Sequence, residues 1–220
     1  MLCTLALLLA FDAEPHDAEQ PAFEQHTVDP HGEAITTNTA PRAVFILVGS
    51  LTDSLDSTSP GACTAGGDDV AAADPAAAAG CTLRAAMQLA NRYGKATAVT
   101  IRVRSGRIAV AGPLPTLEGT VQMSSGPTGP IGTVLDGGKR DGAGVQILRT
   151  GSGSAVALHT LRFENGRAMG SSDDGWGEHG GAIHARGTLV LTNCAIRNCE
   201  AFNGGGVYAE GDEPLLSICT

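Results

Sequence analysis

Gly180-Gly-Ala-Ile-His-Ala-Arg-Gly187 returns 24 residues later as Gly204-Gly-Gly-Val-Tyr-Ala-Glu-Gly211, with the leading glycine pair, the alanine and the closing glycine in place. After each copy an apolar run ends in cysteine, Thr188-Leu-Val-Leu-Thr-Asn-Cys194 and then Glu213-Pro-Leu-Leu-Ser-Ile-Cys219. Working backwards, Val156-Ala-Leu-His-Thr-Leu-Arg-Phe163-Glu-Asn165 lies on Leu189-Val-Leu-Thr-Asn-Cys-Ala-Ile196-Arg-Asn198 at an offset of 33. Short β-prone runs that recur with glycine pairs at such intervals are the pattern of a solenoid, where one repeat cannot bury its apolar face alone and stacks on the next. The expected fold class is therefore all-β, a single-stranded parallel β-helix over residues 99–220.

The surplus of the 33-residue offset over 24 fits one loop, Arg167 to His179, rich in Gly, Ser and Asp and holding the chain's only tryptophan, Trp176. Insertions of this kind often carry a binding face. Upstream, Val99–Val103, Arg107–Val110, Thr133–Leu135 and Val145–Leu148 are further short runs, separated by turn clusters such as Asp136-Gly-Gly138 and Ser125-Gly-Pro127. Strand alternation sends Ile183, Leu189, Leu191, Ile196 and Val207 inward and Arg186, Arg197 and Glu210 outward. Asn165 and Asn198, equivalent under the 33-residue offset, suit a left-handed turn. Cys194 and Cys219 are equivalent under the shorter repeat and are expected to stack as neighbours, as packed thiols or as a bridge.

With 220 residues and 42% hydrophobic content, the chain has enough apolar side chains for a core, and 4% aromatic content suits a slender one. A formal net charge of −9 and the lack of any basic cluster exclude a phosphate track for nucleic acid. Residues 1–11, apolar but too short to span a bilayer as a helix, read as a signal-peptide core without a basic leader, or as a misplaced start. Residues 12–42, polar with scattered His16, His26 and His31, read as a linker.

Residues 43–98 read as an amino-terminal cap. Cys63 and Cys81 flank a Gly/Asp/Ala-rich loop; a disulfide closing it would contribute up to about 3 kcal/mol and place the chain in an oxidising compartment, the alternative being two unrelated thiols. The one helix runs from Thr82, a plausible N-cap, to Tyr93, with Gly94 as its stop and Leu83, Ala86, Met87 and Ala90 on one apolar face. With Val44–Val48, it is placed to cover the open edge of the first coil.

Leu51-Thr-Asp-Ser, Cys63, Cys81-Thr-Leu-Arg-Ala-Ala86 and Ala90-Asn91 resemble the CSLREA-type amino-terminal module that precedes β-helix repeats in secreted and surface proteins. Four of the six signature letters match, with Thr82 for serine and Ala85 for glutamate. Gly180-Gly-Ala-Ile183 resembles the GGA(I/L/V) motif of polymorphic outer-membrane-protein repeats, while Phe163-Glu-Asn165 is one residue short of the companion FxxN. The resemblance covers roughly residues 44 to 220 and implies a right-handed, pectate-lyase-like β-helix outside the cell. It fixes no function, because that fold hosts lyases, hydrolases, adhesins and stalks.

Two functions follow as expectations. The first is an adhesin-like or structural binding module, secreted or on the cell surface, with carbohydrate or a surface protein as ligand and no membrane-spanning segment of its own. Trp176, His184 and Tyr208 are its candidate binding residues, the last two matching under the repeat as neighbours on one face. The alternative is a polysaccharide lyase or hydrolase for acidic glycans, with its site on the outer β-helix face and Asp173, Asp174, His179 and Arg186 as candidates; only the lyase chemistry calls for a cofactor, Ca2+, to acidify the proton that a base removes. Against a hydrolase of the polygalacturonase type, Glu178-His179-Gly180 follows Asp174 too closely to lie one coil away, and no Arg-x-Lys triplet follows. No zinc-ligand spacing occurs. Because the chain stops within the second repeat, a longer solenoid is expected, truncated here at its carboxy end.

Overall fold

Short runs rich in Val, Ile, Leu and Thr, punctuated by residues that accept a left-handed backbone, form strands that pair with the equivalent run one repeat away. The computed structural model describes residues 27–28, 34–35, 43–53, 63, 65–66, 78–126, 132–139, 144–170, 178–210 and 216–219. Two units are distinguished, residues 1–42 and 43–220. In the first, β1 (Thr27–Val28) pairs antiparallel with β2 (Ala34–Ile35) inside the segment read as a linker. The leader expected at residues 1–11 lies outside the described residues.

Among its described residues the second unit is mostly β with one α-helix. Its strands are β3 (Val44–Val48), β4 (Ala65–Gly66), β5 (Ala98–Val103), β6 (Gly106–Ala109), β7 (Thr120–Ser125), β8 (Thr133–Asp136), β9 (Leu148–Thr150) and β10 (Ala155–His159). They continue as β11 (Leu161–Glu164), β12 (Arg167–Ala168), β13 (Ile183–Ala185), β14 (Thr188–Thr192), β15 (Ala195–Arg197), β16 (Glu200–Ala201), β17 (Val207–Ala209) and β18 (Leu216–Cys219). The first sheet stacks β3, β5, β7, β10, β14 and β18 in parallel, and β4 lies antiparallel on the outer edge of β3. The second sheet is β6, β8, β11 and β15, the third β9, β13 and β17, and β12 pairs with β16. From β7 onward the chain passes through the first, second and third sheets in that order, three times, and returns to the first at β18.

Register decides what is buried. In the first sheet Val99, Val121, Val156 and Leu189 align in one column and Ile46, Ile101, Met123, Leu158 and Leu191 in another, and all are at most 2% exposed. Ile108, Leu135 and Phe163 do the same in the second sheet, as do Leu148 and Ile183 in the third. Each such side chain contributes about 1.5–3 kcal/mol relative to leaving it in water. Ile196 and Val207 occupy the same inward columns and are half-buried.

The 33-residue offset appears as register, Val156 opposite Leu189 and Phe163 opposite Ile196. Asn165 and Asn198 both turn left-handed, at φ 55° and 53°, and the Asn198 Nδ2 donates to Asn165 Oδ1 at 2.6 Å. Arg167 still pairs with Glu200 at the 33-residue offset, whereas His179 bridges Asn203 at 24. The nine surplus residues (33 less 24) thus lie between Ala168 and His179, where the sequence places them, although Arg167 and Ala168 are strand rather than loop. One expectation fails: Cys219 lies opposite Thr192, not Cys194, because the third copy of the first-sheet strand has slipped to a 27-residue offset. Cys194 and Cys219 are therefore out of register.

The helix, α1, spans Leu83–Arg92, capped by Thr82 Oγ1, which accepts from Ala85 N at 3.2 Å. The expected apolar face is buried, with Leu83, Ala86 and Met87 at 0% and Ala90 at 2% exposure. Cys63 and Cys81 form a disulfide. β3 is a full member of the first sheet rather than a separate cover, and it is β4 that pairs with its outer edge.

Arg84, Asp53 and Asn91 work as a clamp. Arg84 holds Asp53 bidentately, Nε to Oδ1 at 2.8 Å and Nη2 to Oδ2 at 2.7 Å, with both side chains buried. Its remaining donors reach Pro113 O at 2.7 Å and Gly112 O at 2.9 Å, and Ala111 N donates to Asp53 Oδ2 at 3.0 Å. Asn91 adds a second tie, donating to Thr116 O at 2.6 Å and accepting from Glu118 N at 3.1 Å. The helix, the Leu51–Asp53 segment and the approach to β7 are thereby locked together by saturated polar groups. Ala85, beside Arg84 on the helix, is 2% exposed.

Candidate functional site

The third sheet presents Ile183 and Leu148 inward, so the intervening residues point to its outer face. Parallel pairing aligns Arg149, His184 and Tyr208 there, one on each strand. The glycine pair before each strand makes the approach possible. Gly180 and Gly204 sit at φ 59° and 62°, and a Cβ on either would collide with the carbonyl oxygen three residues on. His179, immediately before Gly180, is pinned by Asn203, whose Nδ2 donates to its Nδ1 at 3.1 Å, and by Gln146 Nε2, which donates to the His179 and Gly180 carbonyls.

Three rings result. His179 stacks on Tyr208 with centroids 4.3 Å apart and planes 17° apart, and both meet His184 edge to face, at 5.5 and 5.2 Å. His184 is wholly buried, while His179 and Tyr208 are half-buried. The pairing of His184 with Tyr208 was legible in the repeat, but their roles differ: His184 is the floor, and the accessible aromatic surface belongs to Tyr208 and His179.

Charge is held at the rim. Glu210 Oε1 accepts from His184 Nε2 at 2.9 Å and from Arg186 Nε at 2.7 Å. Burial pushes the His184 pKa down and outweighs the opposing pull of Glu210, so the ring is neutral near pH 7; since a carboxylate only accepts, Nε2 carries the proton. Burial by itself would raise the Glu210 pKa, but the hydrogen bonds and charges of Arg186 and His184 together hold it below the usual carboxylate value. On the other side, Arg149 Nε donates to Gln146 Oε1 at 2.5 Å.

Of the sequence candidates, His179, His184, Tyr208 and Arg186 come together. Asp173, Asp174 and Trp176 lie outside the described residues. Arg186 is engaged by Glu210, which suits fixing a rim better than taking a proton. Gln146, Arg149 and Glu210 were not singled out for this site; Arg149 precedes His184 by 35 residues, an offset that no repeated motif announces. Among the described residues no group of three or more His, Cys, Asp or Glu side chains is placed to hold a metal ion, and no helix is long and apolar enough to cross a membrane. Cys194 and Cys199 are free thiols whose pKa values burial pushes up, the signature of inert packing.

The arrangement offers two half-buried rings, each with one face turned on the other and its remaining surface flanked by a guanidinium, an amide and a guanidinium–carboxylate pair. Such a surface matches the apolar face and hydroxyl rim of a pyranose. Comparison with protein-family models, with curated proteins and with solved structures returned no match, so what this site does has to be derived from its own residues.

Proposed function

We propose that this chain is a right-handed parallel β-helix repeat protein, secreted or on the cell surface, that acts as an adhesin-like or structural binding module and takes carbohydrate on the Tyr208–His179 face. Support for the architecture is the recurrent passage through three parallel sheets with inward aliphatic columns. Right-handed connection is the rule for parallel strands of one sheet. Support for the compartment is the Cys63–Cys81 disulfide, which persists where the environment oxidises. The resemblance of Cys81–Ala86 and Gly180–Ile183 to CSLREA-type and polymorphic outer-membrane-protein repeats points the same way.

The observation that carries the ligand class is the stacked pair of half-buried rings on an outer sheet face, fixed by Asn203, Gln146 and His184. Rings held this firmly lose little freedom on binding. The test is titration of the full chain with neutral oligosaccharides, beside Tyr208→Ala. Stacking of this kind is worth about 0.5–1.5 kcal/mol beyond area, so Tyr208→Ala should weaken binding roughly three- to tenfold or more. Binding unchanged in that variant would refute the assignment. A polyuronate assay with and without a calcium chelator addresses the lyase alternative: chelator-sensitive release of unsaturated product would replace the binding reading with catalysis.

A further inference from the structure

The outer face of the second sheet carries a different chemistry. Its outward columns read Arg107, Val134, Arg162, Ala195 and, two residues on, Ala109, Asp136, Glu164, Arg197. Arg107 consumes both carboxylates, Nη1 meeting Asp136 Oδ2 and Nη2 meeting Glu164 Oε2, each at 2.6 Å. Asp136 Oδ1 is further occupied by Asn165 Nδ2 at 2.9 Å and Gly138 N at 3.0 Å. At the adjoining corner Glu200 is taken by Lys139 at 2.8 Å and approached by Arg167 at 3.7 Å.

Among the described residues every carboxylate on this face and corner is thus matched, and two guanidiniums are left over. Neither Arg162 nor Arg197 has an ion pair or side-chain hydrogen bond to any described residue. Arg197 is exposed and Arg162 partly so. In a chain with 23 acidic residues against 14 basic ones, two neighbouring arginines without a carboxylate among the described residues stand out. The strand spacing sets their Cα atoms about 8 Å apart, one strand over and two residues along. Beside them, Asn198 donates to Asn165, and its own Oδ1 faces no described partner.

We infer that Arg162 and Arg197 form a binding strip for an anionic polysaccharide, a chain bearing sugar carboxylates or sulfates that runs along the stacking direction of the sheet. The inference rests on the carbohydrate-binding reading but uses another face and other residues than the rings. Two guanidiniums on a rigid sheet fit spaced anions by charge-assisted hydrogen bonds, and the Asn198 amide carbonyl accepts from a sugar hydroxyl. A nucleic-acid duplex, with one charge per about 1.7 Å, meets the repulsion of a net charge of −9 more strongly than a sugar chain whose anions are spaced one per ring and fall beside the two arginines.

The experiment is titration of the full chain with oligogalacturonate, with a neutral oligosaccharide and with duplex DNA, in a salt series, for wild type, Arg162→Ala/Arg197→Ala, Tyr208→Ala and the control Arg92→Ala, each checked for native circular dichroism. Oligogalacturonate should bind, weaken with salt, and lose tenfold or more in the double arginine variant, while Arg92→Ala behaves as wild type. The double variant should keep its affinity for the neutral sugar. Equal oligogalacturonate binding in the double variant, or equal binding of DNA by wild type, overturns the strip while leaving the ring site standing. Loss of neutral-sugar binding only in Tyr208→Ala supports the ring site independently, so the two proposals fail separately.

Discussion

Asp53→Ala strands a guanidinium in the interior. Arg84 loses two charge-assisted hydrogen bonds, at 2.8 and 2.7 Å, and keeps only the carbonyls of Pro113 and Gly112; Ala111 N loses its acceptor as well. Breaking one side of a buried pair costs about 3–5 kcal/mol, because the surviving charge stays desolvated. Against a total stability of about 5–15 kcal/mol, that is a large fraction. With a urea slope near 2 kcal/mol per molar, a loss of 4 kcal/mol lowers the unfolding midpoint by about 2 M without changing the slope. Asp53→Ala/Arg84→Met removes both charges and should recover part of the loss, giving a coupling energy of about 1–3 kcal/mol in a double-mutant cycle. Urea unfolding of the full chain followed by circular dichroism measures all four species. A midpoint shift below about 0.5 M for Asp53→Ala, or a double variant as unstable as the sum of the singles, refutes the clamp.

Thr160, exposed at φ 54°, occupies the turn position that Asn193 fills one repeat later, so Thr160→Asn should stabilise by about 1 kcal/mol in the same urea assay. Thr150 is fully buried and its hydroxyl has no hydrogen-bond partner among the described residues, so Thr150→Val should be neutral or stabilising by about 1 kcal/mol, read as a raised thermal midpoint. Burial holds the His184 and His159 pKa values below the ordinary 6.5. The unfolded chain then binds more protons as pH falls below 6.5, so stability declines from there toward the folded pKa values, and His184→Gln should flatten that slope in part. Glu210, held below its usual value, adds stability above the carboxylate range that is lost only in stronger acid. Cys63→Ser/Cys81→Ser opens an 18-residue separation and should cost about 3 kcal/mol in the same urea assay, and an unchanged midpoint would contradict a bridge that constrains the unfolded chain.

Much of the register was legible because repeated motifs announce it. The match of Val156–Asn165 to Leu189–Asn198 became strand pairing, and the two asparagines became left-handed turns, since a side-chain period of two and a steric limit on φ are local properties. The helix face and the Cys63–Cys81 bridge were readable for the same reason. What stayed hidden depends on residues with no periodic relation. Arg84 and Asp53 are 31 residues apart in the chain, and no repeated motif hints that they meet. Arg107 reaches Asp136 and Glu164 across three strands, and that Arg162 and Arg197 have no carboxylate among the described residues follows only once those two are seen to be taken. Cys219 misled because an identical residue after an apolar run outweighed a two-residue slip that only the backbone ladder reveals. The burial of His184 was likewise invisible, as it depends on His179 folding back over the strand it precedes.

The most direct test of the central claim is a crystal structure of the full chain with a bound neutral oligosaccharide. The account predicts three sheets closing around one aliphatic core in a right-handed parallel helix, with a pyranose ring lying against Tyr208 and His179. Sheets that do not share a core, or a sugar bound elsewhere with the Tyr208 ring left bare, would contradict it.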